Sequence, residues 1–223
     1  MKYDKVIILC ADKKGDNGKF PDFQDGMYLG GQIRMNAAAD LYKSNPSAEY
    51  FVVGGYDPKA ETSCKVSDME CFLKEKNPAA NIKTVKSLPC TFHNFVAVFN
   101  TWKQEGNDLQ AEKIGLLTNL YHLPRALRFA VEVRIKTSRI EVPPLIPICA
   151  ESVVVLPDQN MYNRETEYLL RLDSERRGLK DLERGTYDDN CLNKKRNQFI
   201  DVAKKFSEIL LTLDEVREIQ GAN

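Results

Sequence analysis

The sequence predicts an α/β protein with a doubly wound, mostly parallel β-sheet. Several short and nearly continuous apolar runs lie along the first two thirds of the chain, as expected for strands that are covered on both faces. Segments with apolar residues at helical spacing separate these runs. This alternation of strand and helix indicates a sheet with helices packed against it.

Five apolar runs, each four to six residues long, are the predicted strands. The fifth is stopped by Pro143 and Pro144, which cannot donate the backbone hydrogen bonds of a sheet. In chain order the predicted strands are residues 5–10, 50–53, 81–85, 113–118 and 139–142.

Four segments between these runs are predicted helices. The first places Ile33, Ala37 and Leu41 at a spacing of four residues and ends at Asn45, which a proline follows. The last begins with Pro124, a residue that suits the first helical position. The predicted helices are residues 29–43, 66–76, 91–104 and 124–133.

The pattern predicts one α/β domain over residues 1–156 and a charged, helical C-terminal extension over residues 157–223. Apolar residues recur at helical spacing in the second half of this extension. The extension is therefore expected to pack on the sheet or to mediate self-association, which makes a homo-oligomer a candidate assembly. Residues 12–28 form a polar insert that is either disordered or a lid over a site.

Charge balance and hydropathy exclude several classes of function. The 32 basic and 32 acidic residues leave no net charge and no basic run, which argues against a nucleic-acid partner. No stretch approaches the ~20 apolar residues of a membrane span, and the first residues lack the apolar region of a signal peptide. We therefore expect a cytoplasmic protein without membrane contact.

The six cysteines and two histidines show no metal-ligand spacing. None of the cysteines forms a CxxC pair, so reduced thiols are expected and a zinc site is disfavoured. A Mg²⁺ ion held by the carboxylate of Asp12 or Asp68 stays open as an alternative. The sequence itself supplies no predicted metal centre.

Polar residues follow four of the predicted strands at the points where the strands end. In an open parallel sheet the carboxyl ends of the strands share one edge, and ligands bind beyond that edge. We therefore expect these residues to lie together although they are far apart in sequence. The strand ends are residues 10–12, 54–56, 87–91 and 118–122.

Two of these strand ends carry predicted ligand-binding residues. Gly54 and Gly55 would let the backbone turn tightly and let a ligand approach its N–H groups, although a tight turn without a ligand explains them equally well. Thr91 and Asn94 lie three residues apart and share one flank of a predicted helix. The alternative for this pair is a helix cap at Thr91 and a solvated Asn94.

The stretch LTNLYHLPR, residues 117–125, is the densest group of candidate site residues and includes Asn119. Thr118 and Tyr121 supply hydroxyl groups that would orient a ligand. A histidine with an ordinary pKa titrates near neutral pH, so His122 suits a general acid or base, although a structural hydrogen bond to a backbone carbonyl is the alternative. His122 and Tyr121 are the catalytic candidates.

Arg125 lies in the first turn of the last predicted helix, where the helix dipole disfavours a cation. An anion at the same helix start would explain this position, because helix N–H groups and a guanidinium bind phosphate or carboxylate together. The alternative is an ion pair with a protein carboxylate such as Asp68 or Asp12.

Taken together, these pieces resemble the YdcF/SanA/ElyC-like family over about two thirds of the chain, from residue 5 to residue 142. The family carries an Arg in its first helix, a Gly-Gly turn after its second strand, a Ser before an acidic residue, and a Thr and an Asn three residues apart. Its most specific piece reads Thr-Ser-x-Tyr-His-x-Pro-Arg-Ala. The matching residues here are Arg34, Ala38, Leu41, Tyr42, Gly54, Gly55, Ser67, Asp68, Thr91, Asn94 and residues 118–126.

The resemblance implies a Rossmann-like three-layer fold, and it adds Arg34, Ser67, Asp68 and Asn119 to the predicted ligand-binding residues. Asn119 stands where the family usually has Ser. A chain without a membrane anchor is similar to the soluble branch of the family, for which binding of S-adenosylmethionine is implied. The glycine fingerprint of an NAD-binding domain, G-x-G-x-x-G, does not occur in the sequence.

The sequence thus predicts a protein that binds a small molecule, either a nucleotide-like or an anionic ligand. Whether it is an enzyme stays open. The chemistries considered are transfer from S-adenosylmethionine and hydrolysis of a phosphoryl or acyl group with His122 as acid or base. The alternative is a non-catalytic interaction or sensing protein that acts through its C-terminal helices.

Overall fold

The computed structural model describes residues 1–10, 30–55, 65–87, 91–106, 108–136 and 142–154, together with Glu175. The predicted insert at residues 12–28 lies outside the described residues. So does the predicted C-terminal extension, residues 157–223, apart from Glu175.

Five parallel strands form one sheet, which confirms the predicted α/β class. The central strand is β1, whose five residues are all buried, and the order across the sheet is β3-β2-β1-β4-β5. Strands buried on both faces explain why the sequence shows near-continuous apolar runs there. The strands are β1 (Lys5–Leu9), β2 (Glu49–Gly55), β3 (Ile82–Ser87), β4 (Ile114–Thr118) and β5 (Ile146–Cys149).

Helices connect the strands, and the four predicted helices are confirmed to within a few residues at each end. A single 3₁₀ turn, Leu120–His122, stands between β4 and the helix that follows it. No helix within the described ranges is long and apolar enough to cross a bilayer. The helices are α1 (Gly30–Ser44), α2 (Lys65–Lys76), α3 (Thr91–Glu105), α4 (Leu123–Lys136) and the short α5 (Ala150–Val153).

The two faces of the sheet have different cores. On one face, Ile8 and Val52 belong to an apolar cluster that includes residues of α1 and α2. On the other face, Phe51 packs edge-on against Trp102 of α3, with ring centroids 5.3 Å apart, and Trp102 stacks on Phe99. The alternation of side chains along each strand therefore fills a separate layer on each side.

The structure shows a strand that the sequence did not predict. This strand, β5, spans Ile146–Cys149, whereas residues 139–141 of the predicted fifth strand lie outside the described residues and Val142 has no regular structure. Pro143 and Pro144, which precede β5, cannot donate to a ladder. Pro147 is tolerated within β5 because this strand pairs with β4 alone among the described strands, as an edge strand does.

Gly54 and Gly55 are strand residues, whereas the sequence predicted a turn after the strand. They are the last two residues of β2 and pair with Lys86 and Ser87 of β3. The lack of a side chain at Gly54 serves close packing, since an added Cβ would lie 2.3 Å from Cys10 Cβ.

The order of the strands defines a switch point between β1 and β4. The chain moves outward from β1 to β2 and β3 on one side, then returns to pair β4 on the other side of β1. Connections on either side of such a point diverge and leave a crevice beyond the carboxyl ends of the two strands. In this chain those ends are Leu9 and Thr118.

The chain divides into two compact units. The first contains residues 1–119 and 129–163, and the second contains Leu120–Arg128 and residues 164–223. The described residues of the second unit are Leu120–Arg128 and Glu175.

We expect Gly54→Ala to lower the free energy of unfolding by about 1–3 kcal/mol, the usual cost of overpacking. The new Cβ would meet Cys10 Cβ at 2.3 Å, an atom fixed by the backbone. Gly115→Ala is the matched control, because its nearest contact at 2.4 Å is Ile148 Cδ1, the movable end of a side chain. Urea unfolding of both variants checks the order, and a larger loss for Gly115→Ala would contradict this account.

Candidate functional site

Arg34 of α1 links the ends of the two strands at the switch point. Its buried guanidinium donates hydrogen bonds to the carbonyl oxygens of Leu9, at 3.0 Å, and of Cys10, at 2.5 Å. Its Nε and Nη2 atoms donate to Oδ1 of Asn119, at 3.0 and 2.7 Å. A predicted ligand-binding arginine is therefore bonded to protein acceptors at the carboxyl ends of β1 and β4.

Asn119 relays this contact to a buried carboxylate. Its Nδ2 atom donates to Oε1 of Glu151 at 3.0 Å, while its Oδ1 atom accepts from Arg34. The other oxygen of Glu151 accepts from Sγ of Cys149 at 3.3 Å. We call these four residues, Arg34, Asn119, Glu151 and Cys149, the Arg34 network. In it an amide with a donor end and an acceptor end joins a buried cation to a buried anion.

Cys149 serves this network as a thiol and not as a nucleophile. Burial raises its pKa well above the ordinary value, and the charge of Glu151 and the hydrogen bond to it raise the pKa further. Since only the thiolate is a strong nucleophile, a protonated Cys149 contributes an S–H donor to Glu151.

Thr118 is the last residue of β4 and one of the predicted site residues. The residue is fully buried, and its hydroxyl has no hydrogen-bond partner among the described residues. A buried hydroxyl without a partner costs about 1–3 kcal/mol. This hydroxyl therefore marks a position at the switch point where a polar group of a ligand would be stabilised.

Thr91 and Asn94 are both buried in the first turn of α3, at the carboxyl edge of the sheet. Asn94 is held in place by the strand before it, since Ser87 Oγ donates to Asn94 Oδ1 at 2.5 Å. Because Ser87 pairs with Gly55, the ends of β2 and β3 and the start of α3 lie side by side. The solvated Asn94 of the sequence-based alternative is not observed.

Ser67 and Asp68 lie in the first turns of α2, which follows β2 in the chain. Ser67 is exposed and Asp68 is half-buried. Within the described ranges, neither makes a hydrogen bond to Arg34 or Asn119, so the structure does not join this pair to the Arg34 network.

In the second unit, three charged or titratable side chains form a compact group that we call the His122 cluster. Glu175 Oε2 lies 3.0 Å from Nδ1 of His122. Arg125 donates to both oxygens of the same carboxylate, from Nε to Oε2 and from Nη2 to Oε1, the latter at 3.0 Å. Arg125 Nη2 also lies 3.1 Å from His122 Nδ1. The side chains of His122 and Glu175 are only 8% and 6% exposed.

The surroundings of Glu175 keep its carboxylate ionised. Burial raises its pKa, but the charge of His122 and the hydrogen bonds from His122 and Arg125 outweigh burial, so the pKa lies far below the ordinary value. A bidentate guanidinium is the geometry that best compensates a buried carboxylate. The cluster therefore contains a fixed negative charge against one nitrogen of the imidazole.

Glu175 is a protein carboxylate paired with Arg125, as one sequence-based alternative held for a carboxylate such as Asp68 or Asp12. The other catalytic candidate, Tyr121, is buried in the 3₁₀ turn. Asp12 lies outside the described residues, and no group of three His, Cys, Asp or Glu side chains in the described part of the chain is placed to hold a metal ion.

Glu151, Cys149 and Glu175 were not among the site residues that the sequence predicted. Glu151 lies two residues after the end of β5, a strand that the sequence did not predict. Glu175 lies 50 residues from Arg125 in a charged segment, SERRGLKDLER, with several equivalent acidic residues. No local pattern distinguishes it from them.

No family model, curated protein or solved structure matches this chain. The resemblance to the YdcF/SanA/ElyC-like family and the ligand that it implies therefore stay predictions.

We expect Asn119→Ala to lower the free energy of unfolding by about 3–5 kcal/mol, since it separates a buried cation from a buried carboxylate and leaves both short of partners. Asn77→Ala is the matched control, because its half-buried amide makes one hydrogen bond, to Ala39 O at 3.1 Å. Its removal should cost about 1 kcal/mol. Chemical unfolding measures both, and equal losses would show that the Arg34 network adds nothing.

We expect Glu175→Gln to lower the free energy of unfolding at pH 7 by about 1–3 kcal/mol, because the charged hydrogen bonds to Arg125 and His122 are weakened. A depressed pKa contributes stability above the unfolded value, about 4.3 for Glu, and this stability is lost as the pH falls through the folded pKa. The difference between wild type and variant should therefore shrink below about pH 4.

Urea unfolding from neutral to acidic pH measures this difference. Glu70→Gln is the control, since its i,i+4 pair with Lys74 is largely solvated and should change stability by at most about 0.5 kcal/mol. A Glu175→Gln effect that stays constant down to about pH 3 would contradict the role given to the charge.

Proposed function

We propose that this protein binds a small polar molecule at the carboxyl ends of β1 and β4 and that it is an enzyme in which His122 acts as general acid or base. The binding part of the proposal is supported by one observation above all. A fully buried hydroxyl, that of Thr118, stands at the switch point without a partner among the described residues. Ligands of open α/β sheets bind in the crevice at this point.

The hydrogen bonds of the arginines bear on the class of ligand. Arg34 makes four hydrogen bonds to protein acceptors, and Arg125 is paired with the carboxylate of Glu175. Each predicted anion-binding cation is thus already compensated. This favours a ligand without net negative charge, such as S-adenosylmethionine with its sulfonium cation, over a nucleotide or a sugar phosphate.

The catalytic part of the proposal rests on the second unit alone and is tested separately. A buried carboxylate at one imidazole nitrogen and a guanidinium that fixes this carboxylate are suited to holding a histidine for proton transfer. This favours chemistry in which a proton is moved, as in hydrolysis of a phosphoryl or acyl group. Methyl transfer to an acceptor that must lose a proton would use the same group.

A non-catalytic interaction protein acting through the C-terminal helices is the second reading. The exposed apolar patch that would support it falls on residues 157–223, almost all of which lie outside the described residues. The interaction-protein alternative is therefore favoured only if no small molecule binds.

We expect S-adenosylmethionine or another uncharged or cationic small molecule to raise the melting temperature by a few degrees. A ligand at ~100 times its dissociation constant adds ~2.7 kcal/mol to the free energy of unfolding. The panel should contain S-adenosylmethionine, its demethylated product, nucleotides, sugar phosphates and Mg²⁺. Thr118→Val should raise the stability of the ligand-free protein by about 1 kcal/mol and weaken binding about 3- to 10-fold, because it removes a hydroxyl that only a ligand would satisfy.

Two controls make this test specific. Thr101→Val removes a half-buried hydroxyl that is already bonded to Ala97 O at 3.0 Å, so it should not stabilise the protein and should leave binding unchanged. His122→Ala should retain the ligand-induced shift but lower turnover about 10²- to 10⁴-fold. Equal binding by wild type and Thr118→Val would contradict the position given to the ligand. No shift from any compound would favour the interaction protein.

A further inference from the structure

Glu175 belongs to the predicted C-terminal extension, yet it is one of the buried charged residues of the chain, with 5% of its surface exposed. Its carboxylate lies against Nδ1 of His122 at 3.0 Å, across 53 residues of sequence. A carboxylate is buried at a cost of several kcal/mol unless it is paired and hydrogen-bonded. The contacts of Glu175 with His122 and Arg125 are therefore strong determinants of where these side chains lie.

We propose that Glu175 is a positioning residue for His122: it holds the imidazole as the Nδ1–H tautomer, so that Nε2 is the nitrogen that exchanges a proton. The tautomer is a property of the ligand-free protein, whereas its use in a reaction rests on the proposed function. The C-terminal extension would then supply part of the catalytic apparatus and would not be a mere appendage.

The distances at Nδ1 decide between two tautomers. If Nδ1 carries the proton, it donates to Glu175 Oε2 at 3.0 Å; if it does not, it accepts from Arg125 Nη2 at 3.1 Å. Both bonds cannot form at once, because one needs a proton on Nδ1 and the other needs its lone pair.

The hydrogen bond from Nδ1–H to Glu175 is favoured over the hydrogen bond from Arg125 to Nδ1, for two reasons. A lone pair on Nδ1 would face the negative charge of Glu175 at 3.0 Å in a site where water does not screen the repulsion. Arg125 loses little, since both oxygens of Glu175 already accept from its guanidinium. Because the contacts with His122 and with Arg125 lower the pKa of Glu175, the proton also stays on the imidazole and does not move to the carboxylate.

With Nδ1 protonated, Nε2 of His122 is the atom that accepts and returns a proton. The Nε2 lone pair forms an N–H bond to a proton of the substrate or of a water molecule, and the electron pair of the broken bond stays with the oxygen or nitrogen that lost the proton. His122 becomes an imidazolium whose charge is offset by Glu175. In the reverse step Nε2 returns the proton, and Nδ1 keeps its own throughout.

Nitrogen NMR of the uniformly ¹⁵N-labelled 223-residue chain tests the assignment directly. The chain has only two histidines, so His93 is an internal reference and His122→Ala identifies the second set of signals. Spectra are recorded at rising pH until one nitrogen of His122 loses its proton. We expect that nitrogen to be Nε2 in the wild type, whereas a histidine in water loses its Nδ1 proton predominantly.

Glu175→Leu is the second variant of the test. It removes the acceptor and leaves Arg125 Nη2 as the neighbour of Nδ1, so we expect the variant to reverse the tautomer and to deprotonate at Nδ1. Glu70→Gln, whose carboxylate pairs with Lys74 on α2, should leave the His122 signals unchanged. A wild-type His122 that deprotonates at Nδ1 would overturn the proposal even if Glu175→Leu does not fold, and so would an Nδ1–H tautomer that persists in a folded Glu175→Leu.

Binding and turnover measurements separate this inference from the proposed function. Once a substrate from the thermal panel is identified, Glu175→Leu should lower kcat at least about tenfold and leave KM nearly unchanged, as expected when a base is misoriented but the ligand still binds. If Glu175 fixes the tautomer but no compound binds, the proposed function fails and the positioning role stands. If a compound turns over equally in wild type and Glu175→Leu, the positioning role fails and the enzyme stands.

Discussion

The hydrogen bonds between Arg34 and Asn119 are the interaction on which the organisation of the first unit depends. These bonds lie at the switch point between β1 and β4. Because Arg34 also donates to the carbonyl oxygens of Leu9 and Cys10, it ties the end of β1 to the end of β4. A buried guanidinium tolerates few arrangements, because each of its N–H groups needs an acceptor. The Asn119 Oδ1 atom accepts from this guanidinium, and the Asn119 Nδ2 atom donates to the carboxylate of Glu151.

In both the Arg34 network and the His122 cluster, each buried charge has hydrogen-bond partners that compensate it. In the first unit the neutral amide of Asn119 lies between Arg34 and Glu151. In the second unit the guanidinium of Arg125 donates directly to the carboxylate of Glu175. Each arrangement limits the desolvation cost of burying ions, which would otherwise exceed their attraction. The same compensation leaves little unbalanced field for a phosphate, which is why the proposed ligand site rests on the neutral hydroxyl of Thr118 and not on either arginine.

The sequence predicted those features that local periodicity controls and missed those that depend on distant partners. Buried strands and amphipathic helices leave signals within ten to fifteen residues, so four of the five strands, the four main helices and the convergence of strand ends were predictable. The strand Ile146–Cys149 was not predicted, because it is only four residues long and contains Pro147, which weakens a strand signal. Glu175 was unpredictable, since its identity as a partner depends on a contact 50 residues away and not on its neighbours.

The central position of β1 also governs the order in which the protein can be completed during synthesis. The strand made first pairs on one side with β2 and on the other with β4, whose residues follow it by more than a hundred positions. Until those residues leave the ribosome, one edge of this apolar strand stays open to other chains. Contacts of such long sequence separation form slowly, so Arg34 acquires its partner in Asn119 only late in synthesis.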